Sequence, residues 1–363
     1  MDYKQLFCTP LVFAISIYLF FGLGKAFAET KNNHSNPSAV MFYGKLFVQY
    51  DSVKAGDSGS TASVDGLRDD EGMGRFGVKG KSSIGNGYAI NYKVEYAFDI
   101  GDGDATGDSK TCSETLSDCR TFALKQGWLG MLTPFGEFKF GSLKSPYRYM
   151  AKHDLLHDTI TQARDSRLIT QSSMGHSSYW RESAFYRIKS GNLELAYIRG
   201  LGEGTGGGGH NVKKDYGYGI EYKNFLIKGF DIVYAASKDD SVKDDNKKMT
   251  FTYNLKLTNK KKIKVWYMHE DVGLDNKMFT QSGNDGEVDW YGINYKTGPL
   301  TLQYSYSEAD ADAGSGYDRD GYNMGFQYKL SKTSRVYAGY SKNNANQTGK
   351  DLRATMIGLR HDF

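Results

Sequence analysis

The longest irregular segment of the chain, Lys144 to Trp180, contains charged side chains that could act on a solute or a substrate. The acidic candidates in this segment are Asp154, Asp158 and Asp165. Four basic residues lie among them, namely Arg148, Lys152, Arg164 and Arg167. Opposite charges held close together can orient a polar solute through their local electric field.

Two histidines in the same segment, His153 and His157, are four residues apart. On a helix this spacing would bring both rings to one face, where they could bind a metal. No third ligand is evident nearby, so we interpret them as loop histidines and predict no metal site and no cofactor. No Ser-His or Asp-His arrangement indicates a nucleophile or an acid–base pair, and we predict that the protein is not an enzyme.

The N-terminus has the features of a secretory signal peptide. Lys4 precedes the apolar run Leu11 to Leu23, and Ala26-Phe27-Ala28 follows as an A-x-A cleavage site. We therefore expect residues 1–28 to be a signal peptide, residues 29–40 a short N-terminal segment, and residues 41–363 the folded protein. Outside the cytoplasm, Cys112 and Cys119 would form a local disulfide. A metal-binding pair is the weaker alternative, because no histidine lies near them.

Composition favours long strands over helices. The chain has 363 residues with a mean hydropathy of −0.56, and it contains 43 Gly, 27 Tyr, 20 Phe and only 5 Pro. No apolar run long enough for a spanning helix follows the N-terminus, which excludes a helical membrane protein. The net charge of +4 comes without a concentrated basic helix or motif, so no nucleic-acid partner is predicted.

Apolar and polar residues alternate with the period of two that is typical of strands. The clearest example is Tyr88 to Phe98, and the first strand is predicted at Met41 to Tyr50, before a polar loop that runs to about Gly72. We count about sixteen strands, an even number as in single-chain outer-membrane barrels. Long and short connections alternate strictly, which places all long loops at one end. The pattern predicts an all-β, closed antiparallel transmembrane barrel with long extracellular loops and short periplasmic turns.

The alternation also predicts which face meets lipid. The polar set includes Lys93, Glu95, Glu221, Gln303, Gln327 and Lys329. In a dry core each unpaired member would cost roughly 1–3 kcal/mol, whereas a water-filled lumen would solvate them. We therefore expect the apolar set to face lipid. The last strand, which ends on Phe363, is expected to pair with the Met41–Tyr50 strand, because closure leaves no strand edge exposed to lipid.

Several short motifs resemble those of the general diffusion porins of Gram-negative outer membranes, over the whole length that follows the signal peptide. They are Phe42-Tyr43-Gly44-Lys45, the Gly74 to Gly80 sequence G-R-F-G-V-K-G, Trp128-Leu129-Gly130, and the Gly358 to Phe363 sequence G-L-R-H-D-F. The resemblance implies a sixteen-stranded barrel that forms a homotrimer, with its third extracellular loop folded into the lumen. The Lys144–Trp180 segment is third in order here.

The resemblance further implies a constriction in which basic residues of the wall face acidic residues of the third loop. The matching basic positions are Lys45, Arg75, Lys125 and Arg181, and the acidic candidates are Asp154, Asp158 and Asp165. Phe363 corresponds to the end of the signal that the barrel-assembly machinery reads. Other implied partners are lipopolysaccharide and outer-membrane lipid, with small hydrophilic solutes and ions in the lumen.

The function that the resemblance implies is an outer-membrane channel for passive diffusion of ions and small hydrophilic solutes. The third loop lacks the P-E-F-G-G-like segment seen in many members, and it is rather basic, so we predict a weak preference for anions. A solute-specific channel and a non-conducting surface or adhesin barrel are the alternatives.

Overall fold

The computed structural model describes residues 39–55, 62–68, 74–98, 100, 122–150, 152–171, 174–176, 179–202, 215–238, 245–273, 285–312, 314–346 and 351–363. The predicted signal peptide and the pair Cys112 and Cys119 lie outside these residues. Within them, no helix has the length and the apolar character needed to cross a membrane.

Antiparallel strands make up nearly all of the described chain. In chain order they are β1 (Ala39–Ala55), β2 (Ala62–Arg68), β3 (Gly74–Gly85), β4 (Tyr88–Phe98), β5 (Ala123–Thr133), β6 (Gly136–Lys144), β7 (Tyr179–Ser190), β8 (Leu193–Gly200), β9 (Tyr216–Tyr222), β10 (Phe230–Lys238), β11 (Asn246–Lys256), β12 (Lys261–Val272), β13 (Gly286–Thr297), β14 (Leu300–Ala311), β15 (Arg319–Lys329), β16 (Ser334–Ala345) and β17 (Leu352–Asp362). A short helix α1 (Pro146–Tyr149) follows β6, and a 3-10 turn (Ser315–Tyr317) precedes β15.

The strands close into a barrel. From β3 to β17 each strand pairs with its neighbours in sequence, and β17 returns to β1 with Lys45 opposite Asp362 and Ala55 opposite Leu352. The other edge of β1 is shared, because its first half pairs with β3 and its second half with β2. β2 and β3 therefore fill one position in the wall, and the described strands form sixteen positions. The predicted closed antiparallel barrel is confirmed.

The predicted polar loop up to Gly72 is wrong over β2. This stretch, A-S-V-D-G-L-R, contains Asp and Gly, which are depleted in strands, so its sequence alone gives a weak signal. It becomes a strand because β1 extends beyond Tyr50 to Ala55 and offers a partner, with Val53 opposite Val64.

Side-chain exposure follows the predicted alternation. On β1, Leu46 and Tyr50 are exposed, whereas Phe47, Gln49 and Asp51 are buried on the other face. The exposed apolar set recurs around the wall, for example at Tyr291 and Ile293 of β13. Since these residues point away from the lumen, the outer surface is suited to lipid.

The C-terminal Phe363 seals the junction between β17 and β1. Its N–H donates to the carbonyl of Gly44 at 3.0 Å, and the Gly44 N–H donates to the carbonyl of Phe363 at 2.9 Å. A Cβ atom added to Gly44 would lie 2.7 Å from Cε2 of Phe363 and 2.6 Å from the carbonyl oxygen of Arg75. The aromatic ring therefore lies over a position that only glycine fits without a shift.

Replacing Gly44 with Ala is expected to lower the free energy of unfolding by about 1–3 kcal/mol, as overpacking does in a close-packed site. The reason is that the Phe363 ring and the β3 backbone must both move. The urea midpoint of the full-length protein refolded in lipid vesicles measures the effect. Gly66→Ala on β2 is the matched control, since no atom lies within 4 Å of a Cβ built there. Equal midpoints for the two variants would contradict the packing argument.

The segment between β6 and β7, residues 145–178, is called the inner loop from here on. It begins with α1, where the Ser145 side chain accepts a hydrogen bond from the Arg148 N–H and Pro146 occupies the first turn. Its apolar side chains pack against lumen-facing residues of the wall. One cluster joins Ala163, Leu168 and Ile169 to Trp266, Met268 and Trp290, and another joins Leu156 to Phe47, Tyr337 and Met356. The inner loop is thus folded against the inside of the barrel.

Candidate functional site

The buried carboxylate of Glu270 on β12 holds both ends of the inner loop. Its Oε1 accepts a hydrogen bond from the Tyr147 hydroxyl at 2.7 Å and lies 2.8 Å from Nε2 of His176. The Thr170 hydroxyl donates to the same oxygen at 2.9 Å, and the Thr170 N–H donates to Oε2 at 3.0 Å. Nearby, Lys248 donates to the carbonyls of Tyr147 and Met150. Tyr147 at the start and His176 near the end are thereby fixed to one side of the wall.

Asp154 is a second residue, after Glu270, that anchors the inner loop to the wall. Its Oδ1 accepts hydrogen bonds from the Leu156 N–H at 3.0 Å and from the Gln303 amide at 2.9 Å, and its Oδ2 accepts from the Ala163 N–H at 2.6 Å. Burial raises the pKa of this carboxyl, although the hydrogen bonds act in the opposite direction. Asp154 therefore shapes the inner loop and ties it to β14.

Asp158 joins the inner loop to the opposite part of the wall. Its Oδ2 lies 2.8 Å from Nζ of Lys45 on β1, and its Oδ1 lies 3.3 Å from Nη2 of Arg75 on β3. Burial alone would raise the pKa of the Asp158 carboxyl, but its electrostatic interactions with His157, Arg75 and Lys45 hold that pKa well below its usual range. The structure thus brings Lys45, Arg75 and Asp158 into one ion-pair cluster across the lumen.

Beside this cluster, basic side chains outnumber acidic ones. The guanidinium of Arg148 lies 3.7 Å from the centre of the Tyr179 ring, which is a cation–π contact. The positive charges of Arg75 and Arg148 repel the ammonium groups of both Lys125 and Lys144. Within the described part of the chain, Lys125, Lys144 and Lys152 have no carboxylate within 4.0 Å. We call Arg75, Lys125, Lys144, Arg148 and Lys152 the basic cluster.

The remaining predicted residues lie outside this arrangement. Arg181 is exposed on β7, beside the register shift between β6 and β7, and it belongs to none of the ion pairs above. Asp165 accepts a hydrogen bond from the Gln171 amide at 2.6 Å and lies 3.6 Å from Arg164, so it pairs within the inner loop.

The two histidines diverge. The His153 ring stacks on Trp266 with centroids 5.4 Å apart, whereas His157 lies 3.5 Å from Asp158. In the residues that the structure describes, no group of three His, Cys, Asp or Glu side chains is arranged to hold a metal ion.

Sequence reasoning missed Glu270, Lys248 and Tyr179. Glu270 and Lys248 share the lumen-facing positions of β12 and β11, so the period-two pattern identifies their side of the wall. Nothing in the spacing shows which lumen residues meet the inner loop, because Glu270 and Tyr147 are 123 residues apart.

The sequence was also compared with known proteins. A family model described as "Gram-negative porin" matches residues 22–359. The chain belongs to the Gram-negative porin family. This porin is a β-barrel channel of the outer membrane, through which small solutes diffuse, and its predicted family is confirmed. In the search of curated proteins no sequence matched.

Solved structures show the same fold at low sequence identity. An anion-selective porin from Comamonas acidovorans has a TM-score of 0.65 and 16% identity, covering 90% of this porin and 100% of that chain. In-vitro folded OmpT, an outer membrane protein of Vibrio cholerae, has a TM-score of 0.59 and 17% identity, with 92% and 100% covered. Salmonella typhi OmpF in complex with daunomycin has a TM-score of 0.59 and 14% identity, with 89% and 97% covered.

Proposed function

We infer that this porin is a general diffusion channel with a preference for anions. The observation that carries this proposal is the basic cluster, in which Lys125, Lys144 and Lys152 have no carboxylate partner among the described residues. The acidic side of the constriction is weak by comparison, because the charge of Asp158 is already shared by Lys45 and Arg75. A surplus of fixed positive charge lowers the energy of an anion in a narrow aqueous passage and raises that of a cation.

Between the inner loop and the short-turn end of the barrel, the lumen has room for hydrated solutes. A cavity of about 370 Å³ lies toward the short-turn end of the lumen, between the inner loop and the wall strands β7 to β12. Its lining mixes both charges, with Lys152 and Arg187 beside Glu194 and Asp231. Such a lining solvates polar solutes of either sign, so the selective step is expected at the basic cluster.

We propose a homotrimer with lipopolysaccharide and other outer-membrane lipid around it, inserted by the barrel-assembly machinery that recognises Phe363, after removal of residues 1–28. A trimer form of OmpT of Vibrio cholerae is among the similar structures. We also propose a disulfide between Cys112 and Cys119, and a function in transport of ions and solutes without enzyme activity.

Reversal potentials of the purified porin in planar bilayers under a potassium chloride gradient test the proposal. We expect chloride to be preferred over potassium, and the double variant K125Q/K144Q to lose most of that preference. One unit charge about 10 Å from the ion path in a water-like dielectric changes the energy of the ion by roughly 0.4 kcal/mol, or about twofold in permeability. Removing two charges therefore lowers the permeability of the anion about fourfold and raises that of the cation about fourfold, which predicts a change of about sixteenfold in their ratio.

Lys54→Gln is the control, because Lys54 is exposed and shares the lipid-facing positions of β1. Its permeability ratio should equal that of the wild type. A clear cation preference of the wild-type porin would refute the proposal, and the absence of conductance would favour a non-conducting surface barrel. Current that is blocked at saturating concentrations of one solute would favour a solute-specific channel.

A further inference from the structure

Four consecutive short connections of the barrel form one continuous edge. They join β9 to β10, β11 to β12, β13 to β14 and β15 to β16, and backbone hydrogen bonds link each to the next. The Asn254 N–H donates to Gly229 O at 2.8 Å, the Gly298 N–H to Lys260 O at 3.0 Å, and the Lys329 N–H to Pro299 O at 3.1 Å. Because short turns lie on the periplasmic side of outer-membrane barrels, this edge faces the periplasm.

The four connections are rich in lysine and contain no acidic residue of their own, while Asp231, just after the β9–β10 connection, accepts a hydrogen bond from the Asn224 N–H. Residues 222–230, 255–263, 296–300 and 329–334 contain no Asp or Glu. Their lysines are Lys223, Lys228, Lys256, Lys260, Lys261, Lys262, Lys296, Lys329 and Lys332. Within the described part of the molecule, only Lys223 has a carboxylate within 4.0 Å, that of Glu221 at 3.3 Å. We call this edge the basic rim.

Large apolar side chains are exposed on the same connections. Leu226 is 85% exposed, Ile227 57%, Leu257 49% and Leu330 59%. Leu226 adopts a left-handed backbone conformation with φ of 60°, which is unfavourable for a bulky side chain. The β9–β10 turn thus holds two aliphatic side chains outward at a conformational cost. Exposed aliphatic groups beside lysines are the composition of a surface that lies at the boundary of a membrane.

Strand alternation divides the lysines of the basic rim into two groups. Lys256, Lys262, Lys296 and Lys329 occupy the lumen-facing positions of their strands and surround the mouth of the channel. Lys261 has the same parity as Val265 and Tyr267, which are exposed on the lipid side. Lys228, Lys260 and Lys332 lie in the turns themselves. We call Lys228, Lys260, Lys261 and Lys332 the outer group, and Lys256, Lys262, Lys296 and Lys329 the mouth group. Lys223, which pairs with Glu221, belongs to neither group.

We propose that the outer group binds the phosphate-bearing headgroups of anionic phospholipids in the periplasmic leaflet. The apolar wall continues into Leu257 and Leu330, so lipid that covers the wall also reaches these lysines. Their alkyl stems can lie along this apolar surface while the ammonium groups reach the headgroups. Each lysine close to an anionic membrane surface contributes roughly a fivefold preference. The basic rim thereby orders acidic lipid around one sector of the barrel.

Electron paramagnetic resonance of spin-labelled lipids tests this binding. The full-length porin is reconstituted in phosphatidylcholine vesicles with a trace of labelled phosphatidylglycerol or labelled phosphatidylcholine. The motionally restricted fraction of each label gives the relative association of the two lipids with the barrel. We expect the wild type to prefer phosphatidylglycerol several-fold at low salt, and less at 1 M salt, where charges are screened within about 3 Å.

Two quadruple variants separate the groups. K228A/K260A/K261A/K332A should bring the two lipids close to equal association. K256A/K262A/K296A/K329A removes the same charge from the same edge, and it should keep the preference while changing the reversal potential of the channel. The proposal is overturned if the wild type binds both lipids equally, or if the two variants lose the preference to the same extent. The proposal would also be overturned if the wild type bound the two lipids equally and bound an acidic periplasmic protein. These results do not depend on which ion the channel prefers.

Discussion

Asp158→Asn is expected to weaken the attachment of the inner loop to β1 and β3 and to increase the preference of the channel for anions. The variant removes the carboxylate shared by Lys45 and Arg75 at 2.8 Å and 3.3 Å and leaves two largely buried cations without a partner. Breaking a buried ion pair by removing one partner costs about 3–5 kcal/mol. Both effects have the same origin, since the charge that neutralised the two cations is lost.

The measurement combines reversal potentials with urea unfolding of the protein in vesicles. Glu287→Gln is the control, because this substitution also removes one negative charge but does so at an exposed residue on the lipid-facing side of β13. Because the pKa of Asp158 lies well below its usual range, its contribution is complete above the ordinary aspartate pKa and is lost only as the pH falls through the lowered value. If the Asp158→Asn variant were as stable and as selective as the control, the ion pairs of Asp158 would contribute neither to stability nor to ion selectivity.

The wall of the barrel was largely predictable because each strand carries its own period-two signal. Tyr88–Phe98 has the bounds that the alternation indicates. In such strands the lipid and the aqueous lumen impose opposite requirements on neighbouring residues, so the pattern is strong. β2 escaped prediction because its pairing depends on the length of β1, which is a property of another segment.

The interior was less predictable, because the inner loop changes the environment of the lumen face. Trp266, Met268 and Trp290 occupy lumen-facing positions where water alone would favour polar residues, and they are buried by Leu168 and Ile169 of the inner loop. The same holds for Phe47, which packs against Leu156. The resemblance of the strand motifs identified Lys45 and Arg75 as constriction candidates, but Asp158 could be chosen over Asp154 and Asp165 only from the folded loop.

The inner loop contacts the carboxylate of Glu270 at both of its ends. Glu270→Ala removes the carboxylate that contacts Tyr147, Thr170 and His176. It also removes the negative charge that acts on the buried ammonium group of Lys248. Loss of a buried charge that holds several donors costs about 3–5 kcal/mol, which is more than a hundredfold in the ratio of docked to undocked loop. Because an undocked loop no longer narrows the lumen in one place, single-channel conductance should rise and become noisier.

Single-channel recording and vesicle swelling with neutral sugars of increasing size measure this change together. The adjacent Asp271→Ala is a matched control, since Asp271 is exposed and, among the residues that the structure describes, forms its ion pair with Lys247 at the surface. Glu270→Gln should be intermediate, because an amide oxygen can still accept from Tyr147 or Thr170 but carries no charge for Lys248. If Glu270→Ala kept the wild-type conductance and size limit, the other contacts of the loop, including those of Asp158 and Asp154, would be sufficient to hold it. A double variant of Asp158 and Glu270 shows whether these two residues hold the loop independently. Its effect on conductance should exceed the sum of the two single effects only when either residue can hold the loop without the other.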